Sequence, residues 1–400
     1  MAEMLIEAEH MVPAVAEPGA ADGARCASPG DLATIPPGYA LVRDGVIAAV
    51  GEGPPPRPPD VRLAAGVLVP GFVDLQVNGY FGVEFEAVRA AEWRMVAARL
   101  PETGTTAFMP TFITAPVPQL AHALRQAAGL AGEHAPGAQV LGVHLEGPFI
   151  SPLRAGAHHK DWMTDPVPEA ITGLLDAGRG VLKIVTLAPE RPGALAAITR
   201  LAGAGVLVSV GHTDALARQV AAAATAGARM VTHLFNAQRP LQHREPGTPG
   251  QALSDPRLTS GLIADGYHVV PEVCAIAFAA APGRICLVTD AAACAGMPPG
   301  TYLLGGEPIE LPAGDGTPPV RADGTLAGSA LRMDVAVANM VRAGASLAGA
   351  VAAATRIPAD LIGRPELGRI AAGARADLTW LGDDLRARAT WVAGDLVYSQ

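Results

Sequence analysis

From Phe72 onward the chain alternates short apolar runs, bounded by Gly, Pro or polar residues, with longer stretches rich in Ala and Leu. The short runs at 72–75, 107–110, 140–145, 181–187, 206–210, 230–233, 258–263 and 285–289 read as strands, and 118–130, 194–204, 215–227 and 333–342 read as helices. Strand–helix repeats of this number within about 300 residues argue for a closed parallel barrel, with its active site at the C-terminal ends of the strands. An open doubly wound sheet would want a glycine-rich dinucleotide turn after an early strand. No GxGxxG pattern is present.

The two ends of the chain read differently. Apolar runs at 40–43 and 46–50 flank Asp44-Gly45, a strong hairpin signal. A Pro-rich connector at 51–59 leads to further short runs at 61–63 and 67–71, and the C-terminus repeats the style at 377–381 and 390–398. Both ends are expected to join in one small β-sandwich. The fold class is therefore α/β: a (β/α)8 TIM-like barrel over 71–366, with a small β-sandwich domain from 1–70 and 367–400. Residues 1–37, rich in Ala, Pro, Gly and Glu, show little periodicity and read as part strand, part loop.

Composition narrows the function. Half of the 400 residues are hydrophobic and 17% are charged, enough for one large barrel core. With 29 basic against 38 acidic residues the net charge is −9, and no basic stripe appears, which argues against nucleic-acid binding. An anionic substrate would need local positive charge against that global field. Cys26, Cys274, Cys286 and Cys294 form no CxxC pair and read as reduced thiols of a cytoplasmic protein. Glu3, Glu7 and Glu9 stand where a signal peptide carries basic residues, and no apolar run reaches membrane-spanning length.

The candidate chemistry lies at strand ends. Gly211-His212-Thr213-Asp214 and Thr232-His233-Leu234-Phe235-Asn236-Ala237 each follow an apolar run, with a helix between them. In a parallel barrel this strand–His–helix–strand–His order places two imidazoles side by side on the functional face, able to hold one metal ion. Glu146 and Asp290 also follow predicted strands. One such His or Asp alone reads as a hydrogen-bonded structural residue or a helix cap. Four of them at four strand ends point to a metal site. Glu146 with His212 and His233 would give three ligands and leave one position open. A metal there lowers the pKa of bound water towards ~7, and Asp290 could take up and return its proton. Arg244, in a polar loop beyond His233, is a bidentate phosphate grip or a surface partner of Glu245.

In this order the motifs resemble the N-acetylglucosamine-6-phosphate deacetylases of the amidohydrolase superfamily. The likeness runs from about Val69 to Asp377. It rests on the segments Pro70–Asp74, His144–Pro148, Gly211–Thr213, Thr232–Ala237, Arg244–Gly247, Asp265–His268, Val288–Asp290 and Leu326–Ser329. The resemblance implies that Glu146, His212 and His233 bind one divalent metal, Zn2+ first and Fe2+, Mn2+ or Co2+ as alternatives. It makes Asp290 the general base and acid, and sets His158, beside Ala157, on the acetamido carbonyl. Asn236, Ala237, Arg244 and His268, with Asp265, would bind the sugar phosphate end, and Leu326, Ala327 and Gly328 would line the pocket. The implied substrate is a phosphorylated N-acetyl amino sugar, with glucosamine or galactosamine open and another, unphosphorylated N-acyl compound as a rival, and the implied assembly is a homo-oligomer. A catalytically silent binding protein is the alternative of a different class.

One departure matters. Many superfamily members carry His-x-His after the first barrel strand, where it holds a second metal; here the stretch is Asp74-Leu75-Gln76-Val77-Asn78. Neutral amides are poor ligands, so a single metal is expected. Lys183, near the start of its strand, reads as a packing or surface residue rather than a metal bridge. His10, His159, His243 and Cys294 keep ordinary structural readings.

Overall fold

The structure is a computed structural model that describes residues 3–14, 35–130, 136–314 and 316–400. Cys26 and the segment 15–34 lie outside the described residues. Parallel strands make up the barrel: β1 (Phe72–Val77), β2 (Thr105–Phe112), β3 (Val143–Glu146), β4 (Leu182–Leu187), β5 (Leu207–Val210), β6 (Met230–Val231), β7 (Thr259–Leu262) and β8 (Ile285–Leu287). Each pairs with the next in sequence. A parallel bridge between Val77 and Ala291, and the Asp290 N–H donated to the Gln76 carbonyl (2.9 Å), bring the chain past β8 back onto β1. Every residue of β1 and β2 is buried, because one face fills the barrel and the other is covered by other elements. The fold class expected from the alternating runs is the one observed.

The differences have local causes. The run expected at 140–145 is split into Gln139–Val140, which pairs with β2, and β3. Gly142 breaks it: its φ is +142°, and a Cβ there would lie 2.6 Å from the Val181 carbonyl oxygen. Lys183 is the exposed second residue of β4, at the end of the strand away from the mouth. A hairpin not anticipated from sequence, Gly300–Leu304 with Glu307–Leu311, follows β8. Its Leu304, Ile309 and Leu311 cluster with Ile113, Ala157, Ala292 and Ala327, which seats it against the barrel mouth.

The chain ends form two four-stranded sheets. One orders Val46–Glu52, Gly38–Arg43, Glu3–Ala8 and Val61–Leu63; the other orders Asp395–Ser399, Ala387–Val392, Leu378–Leu381 and Val67–Pro70. Asp44 and Gly45 both have positive φ, as a two-residue hairpin turn of the twisted kind requires. Ile6, Val42, Ile47, Leu68, Leu378 and Trp391 are among the apolar residues clustered between the sheets. Cys274, Cys286 and Cys294 are free and buried. Among the described residues no helix is long and apolar enough to cross a membrane.

Candidate metal centre and active site

The barrel brings the strand-end residues to one point. Glu146 is the last residue of β3, while His212, His233 and Asp290 lie just beyond β5, β6 and β8. His212, His233 and Asp290 have φ of 45°, 28° and 51°, a left-handed conformation that non-glycine residues adopt at a cost of about 1–3 kcal/mol each. The surrounding bonds hold them there: the His212 carbonyl accepts from Ser151 N–H (2.8 Å), and the Asp290 carbonyl accepts from Ser329 N–H (2.8 Å).

Glu146, His212 and His233 offer ligand atoms that all lie within 4.8 Å of one another, and all three residues are buried. Glu146 Oε1 is 2.9 Å from His233 Nε2 and 3.3 Å from His212 Nε2, and the two imidazole Nε2 atoms are 3.0 Å apart. His212 Nδ1 lies 2.9 Å from the Arg154 carbonyl, which can only accept. The ring proton is therefore on Nδ1, and Nε2 presents its lone pair to the cluster. Two imidazole nitrogens and a carboxylate aimed at one buried point are a donor set that fits a divalent cation.

Burial disfavours charge on His233, yet hydrogen bonding to Glu146 and the charges of Glu146 and Asp290 raise its pKa to about 9. Burial likewise works against ionised Glu146, but the neighbouring imidazoles, His158 and His233 among them, hold its carboxyl well below the usual range. Without metal, a proton on His233 thus balances Glu146. A cation must displace it, so metal loading near pH 7 is expected to release about one proton per site, and affinity should rise with pH up to about 9. Calorimetric titration in buffers of different ionisation enthalpy measures this; loading without proton release would contradict it.

The amides that replace His-x-His have a different task. Gln76 Nε2 donates to Glu146 Oε1 and to Asp290 Oδ1, both at 3.0 Å, and Asn78 Nδ2 donates to Asp290 Oδ1 at 2.6 Å. Gln76 thus bridges the two carboxylates with a neutral donor, and Asn78 adds a second neutral donor at Asp290. Burial, then the charge of Glu146, pushes the Asp290 carboxyl up to about 6, against the pull of His233, His268 and the Asn78 bond. His158 is buried, and burial followed by the charge of His212 lowers its pKa to about 4. Its Nδ1 accepts from Thr114 N–H (3.2 Å), which leaves the proton on Nε2, 3.6 Å from Glu146 Oε2. A neutral imidazole is therefore fixed with its N–H towards the site.

A cavity of about 510 Å³ opens over these groups. Glu146, His212, His233, Asp290 and His158 line it. So do Ala157, Asn236, Ala237, His268, Leu326 and Gly328 of the sequence-derived set. Three residues of that set stand apart. Ala327 is fully buried behind the wall, packed with Cys294 and Ile309. Asp265 spends its carboxylate on Tyr267 N–H, His268 N–H and His268 Nδ1 (2.8, 2.8 and 2.6 Å), so it orients His268 from behind. Arg244 is exposed on its loop and does not line the cavity, and Glu245 beside it accepts instead from Ala217 and Gly247 N–H.

Sequence reasoning missed several lining residues. Arg154 and Lys160 sit on the loop after β3, and Asp323 and Thr325 on the loop after the hairpin. Arg154 pairs with Asp214, which also holds Arg239. Charged residues in a loop following a barrel strand were the available signal for Arg154 and Lys160. Nothing in the local pattern marks Asp323 or Thr325.

Comparison with known proteins agrees with this geometry. A model of the amidohydrolase family matches residues 67–397. The N-acetylglucosamine-6-phosphate deacetylase of Homo sapiens is 40% identical over 359 residues, covering 86% of this chain and 86% of its own. The N-acetylgalactosamine-6-phosphate deacetylase of Escherichia coli O157:H7 is 38% identical over 359 residues, covering 89% of this chain and 93% of its own. Among solved structures, a mutant of the N-acetyl-D-glucosamine-6-phosphate deacetylase of Mycobacterium smegmatis, in complex with N-acetyl-D-glucosamine-6-phosphate, superposes with a TM-score of 0.88 at 36% identity, with 100% of both chains covered.

Proposed function

This chain belongs to the amidohydrolase family, and from that premise we infer that it hydrolyses N-acetyl-D-glucosamine 6-phosphate to D-glucosamine 6-phosphate and acetate, in amino-sugar catabolism. The observation that carries this reading is the convergence of Glu146, His212 and His233 beside Asp290 in one cavity. Glu146, His212 and His233 hold one divalent metal, Zn2+ by preference since imidazole and carboxylate suit it, with Fe2+, Mn2+ or Co2+ as alternatives. When bound, the metal supplies Lewis acidity at the reacting amide. Asp290 takes a proton from the attacking water and returns it to the departing amine. His158 donates its Nε2–H to the acetamido oxygen, where negative charge develops. Asn236, Ala237 and His268, the last steadied by Asp265, receive the sugar phosphate end, and Leu326 and Gly328 shape the wall backed by Ala327.

The separate apolar cluster of the chain ends supports dividing the protein into a sandwich, 1–70 with 367–400, and a catalytic barrel, 71–366. The free, buried thiols support a cytoplasmic location. Assembly into a homo-oligomer is carried over from the family alone.

The test is acetate release from a panel of phosphorylated and free N-acetyl hexosamines, with metal analysis of the protein as purified. Fastest release from the glucosamine 6-phosphate compound, with about one metal per chain, is expected. Fastest release from the galactosamine compound would install the second reading, which the Escherichia coli relative favours. No release from any of them would leave a binding protein. Arg244 is assigned to the phosphate by the family motif alone. Its replacement by Ala should raise KM for the phosphorylated sugar about tenfold or more, as loss of a charge-assisted bond does, and leave the free sugar unaffected. An unchanged KM removes Arg244 from the site.

A further inference from the structure

The barrel interior directly beneath the metal centre is polar where bulky branched apolar side chains usually fill such layers. His144, Thr186, Ser209 and Thr232 all have relative exposures of 0%, and they contact one another across three strands and the residue just past a fourth. We propose that these four residues form a one-way hydrogen-bond chain that positions the metal ligands, with Thr186 as its central positioning residue. The proposal rests on the reading that Glu146, His212 and His233 hold the metal.

The direction of the chain follows from its end. His144 Nδ1 lies 3.3 Å from the carbonyl oxygen of Leu75, which can only accept, so Nδ1 carries the ring proton and Nε2 accepts. Thr186 Oγ1, 2.7 Å from that Nε2, must then donate to it. A hydroxyl has one proton, so Thr186 accepts from Thr232 Oγ1 at 2.7 Å, and Thr232 accepts from Ser209 Oγ at 2.5 Å. The sequence Ser209 to Thr232 to Thr186 to His144 to Leu75 therefore runs from β5, through the residue just past β6, to β4, β3 and β1, with every proton assigned.

Each link but the central one lies close in sequence to a residue of the site. Leu75 precedes Gln76, His144 is two residues before Glu146, Thr232 precedes His233, and Ser209 is three residues before His212. Thr186 itself is the cross-strand partner of both Glu146 and Ser209. Apolar contact is non-directional and tolerates sliding of one strand against another. Hydrogen bonds fix the relative heights of the strands, and a usable metal site tolerates deviations of only about 0.2 Å in its ligand distances. The chain also explains the glycine before His212. A Cβ on Gly211 would stand 2.7 Å from Thr232 Cβ and 2.8 Å from Thr186 Cγ2, so only glycine leaves room for this layer.

The deciding variant is Thr186→Val, which keeps the volume and removes both links. Chelator-stripped protein is titrated with Zn2+ against a chromophoric competitor, and kcat and KM are measured on the phosphorylated N-acetyl sugar with Zn2+ saturating. Thr186→Val should weaken Zn2+ affinity about tenfold, the lower end of the range for an outer-shell partner because Thr186 acts on the ligands only through its neighbours, and lower kcat while KM stays within about twofold. Thr186→Ser, which restores the hydroxyl, should recover affinity to within a few-fold of wild type. Unchanged Zn2+ affinity in Thr186→Val overturns the proposal, as does a Ser variant as weak as the Val variant. Should Thr186→Val fail to fold, Ser209→Ala removes only the donor at the open end and should weaken Zn2+ binding several-fold; full affinity there also overturns it. A wild-type protein that takes up no Zn2+ or other divalent metal would instead refute the metal reading on which the chain's role depends.

Discussion

Replacing Asp290 with Asn is expected to lower kcat about a thousandfold, within the range of lost general acid–base catalysis, while metal content and KM stay close to wild type. Asp290 Oδ1 accepts from both Gln76 and Asn78, and an Asn oxygen can accept the same two bonds, so the side chain keeps its place. What changes is the group turned to the substrate, from a carboxylate oxygen that takes protons to an NH2 that cannot. Burial and the neighbouring Glu146 charge set the Asp290 pKa at about 6, making it a stronger base than an ordinary carboxylate and still largely ionised at neutral pH. The ionised form is the active one, so wild-type kcat/KM should fall as pH drops through about 6. A bound cation adds positive charge nearby and moves that limb lower, not higher. The Asn variant should lack the limb. Metal analysis, steady-state kinetics and the pH profile check all three statements, and near wild-type turnover in the variant would remove Asp290 from the role.

The same residues show what a sequence makes legible. The barrel could be read because its strands are buried throughout, largely apolar and spaced by helices, a pattern that needs no side-chain detail. Strand ends were less legible. Strand β6 stops at Val231 because Thr232 turns inward to Thr186 and His233 enters a left-handed conformation, and apolar runs carry neither fact. The hairpin after β8 had a usable signal in Gly305-Gly306 between two alternating runs. Glu146, His212, His233 and Asp290 were legible because each follows a strand, and a barrel gathers strand ends whatever the loops do. Loop residues have no such guarantee. Asp265 and His268 are close in sequence, yet only His268 faces the cavity, because the Asp265 carboxylate is consumed by the turn. Gln76 and Asn78 were legible as poor metal ligands, but the Gln76 bridge between Glu146 and Asp290 and the Asn78 bond to Asp290 depend on the chain past β8 meeting β1 at the barrel seam.

Glu146→Gln should abolish metal uptake and activity while leaving the metal-free protein no less stable. Glu146 is the only anion among the three ligands, and its oxygen touches both imidazoles. A neutral amide there removes the charge that balances the cation and offers a weaker donor. Loss of at least a hundredfold in affinity is expected, the upper range for an outer-shell partner alone. Stability follows a different logic. In the metal-free wild type the buried Glu146 charge is balanced by a proton on His233, whose pKa is raised to about 9 mainly by Glu146 against the effect of burial. With Gln at 146, that support is gone, His233 becomes neutral, and the lost pair leaves no charge of its own behind, while Asp290 keeps its bonds from Gln76 and Asn78. Replacing a whole buried ion pair by neutral groups is commonly neutral or stabilising. Thermal unfolding separates the two effects. Wild-type Tm should rise on adding metal, by the equivalent of about 4 kcal/mol at a thousandfold excess over Kd. The Glu146→Gln variant should match or exceed wild-type Tm in chelator and gain nothing from metal. A metal-dependent rise in the variant would mean that the cation is held elsewhere, and a large fall in chelator would mean that Glu146 supports the fold directly.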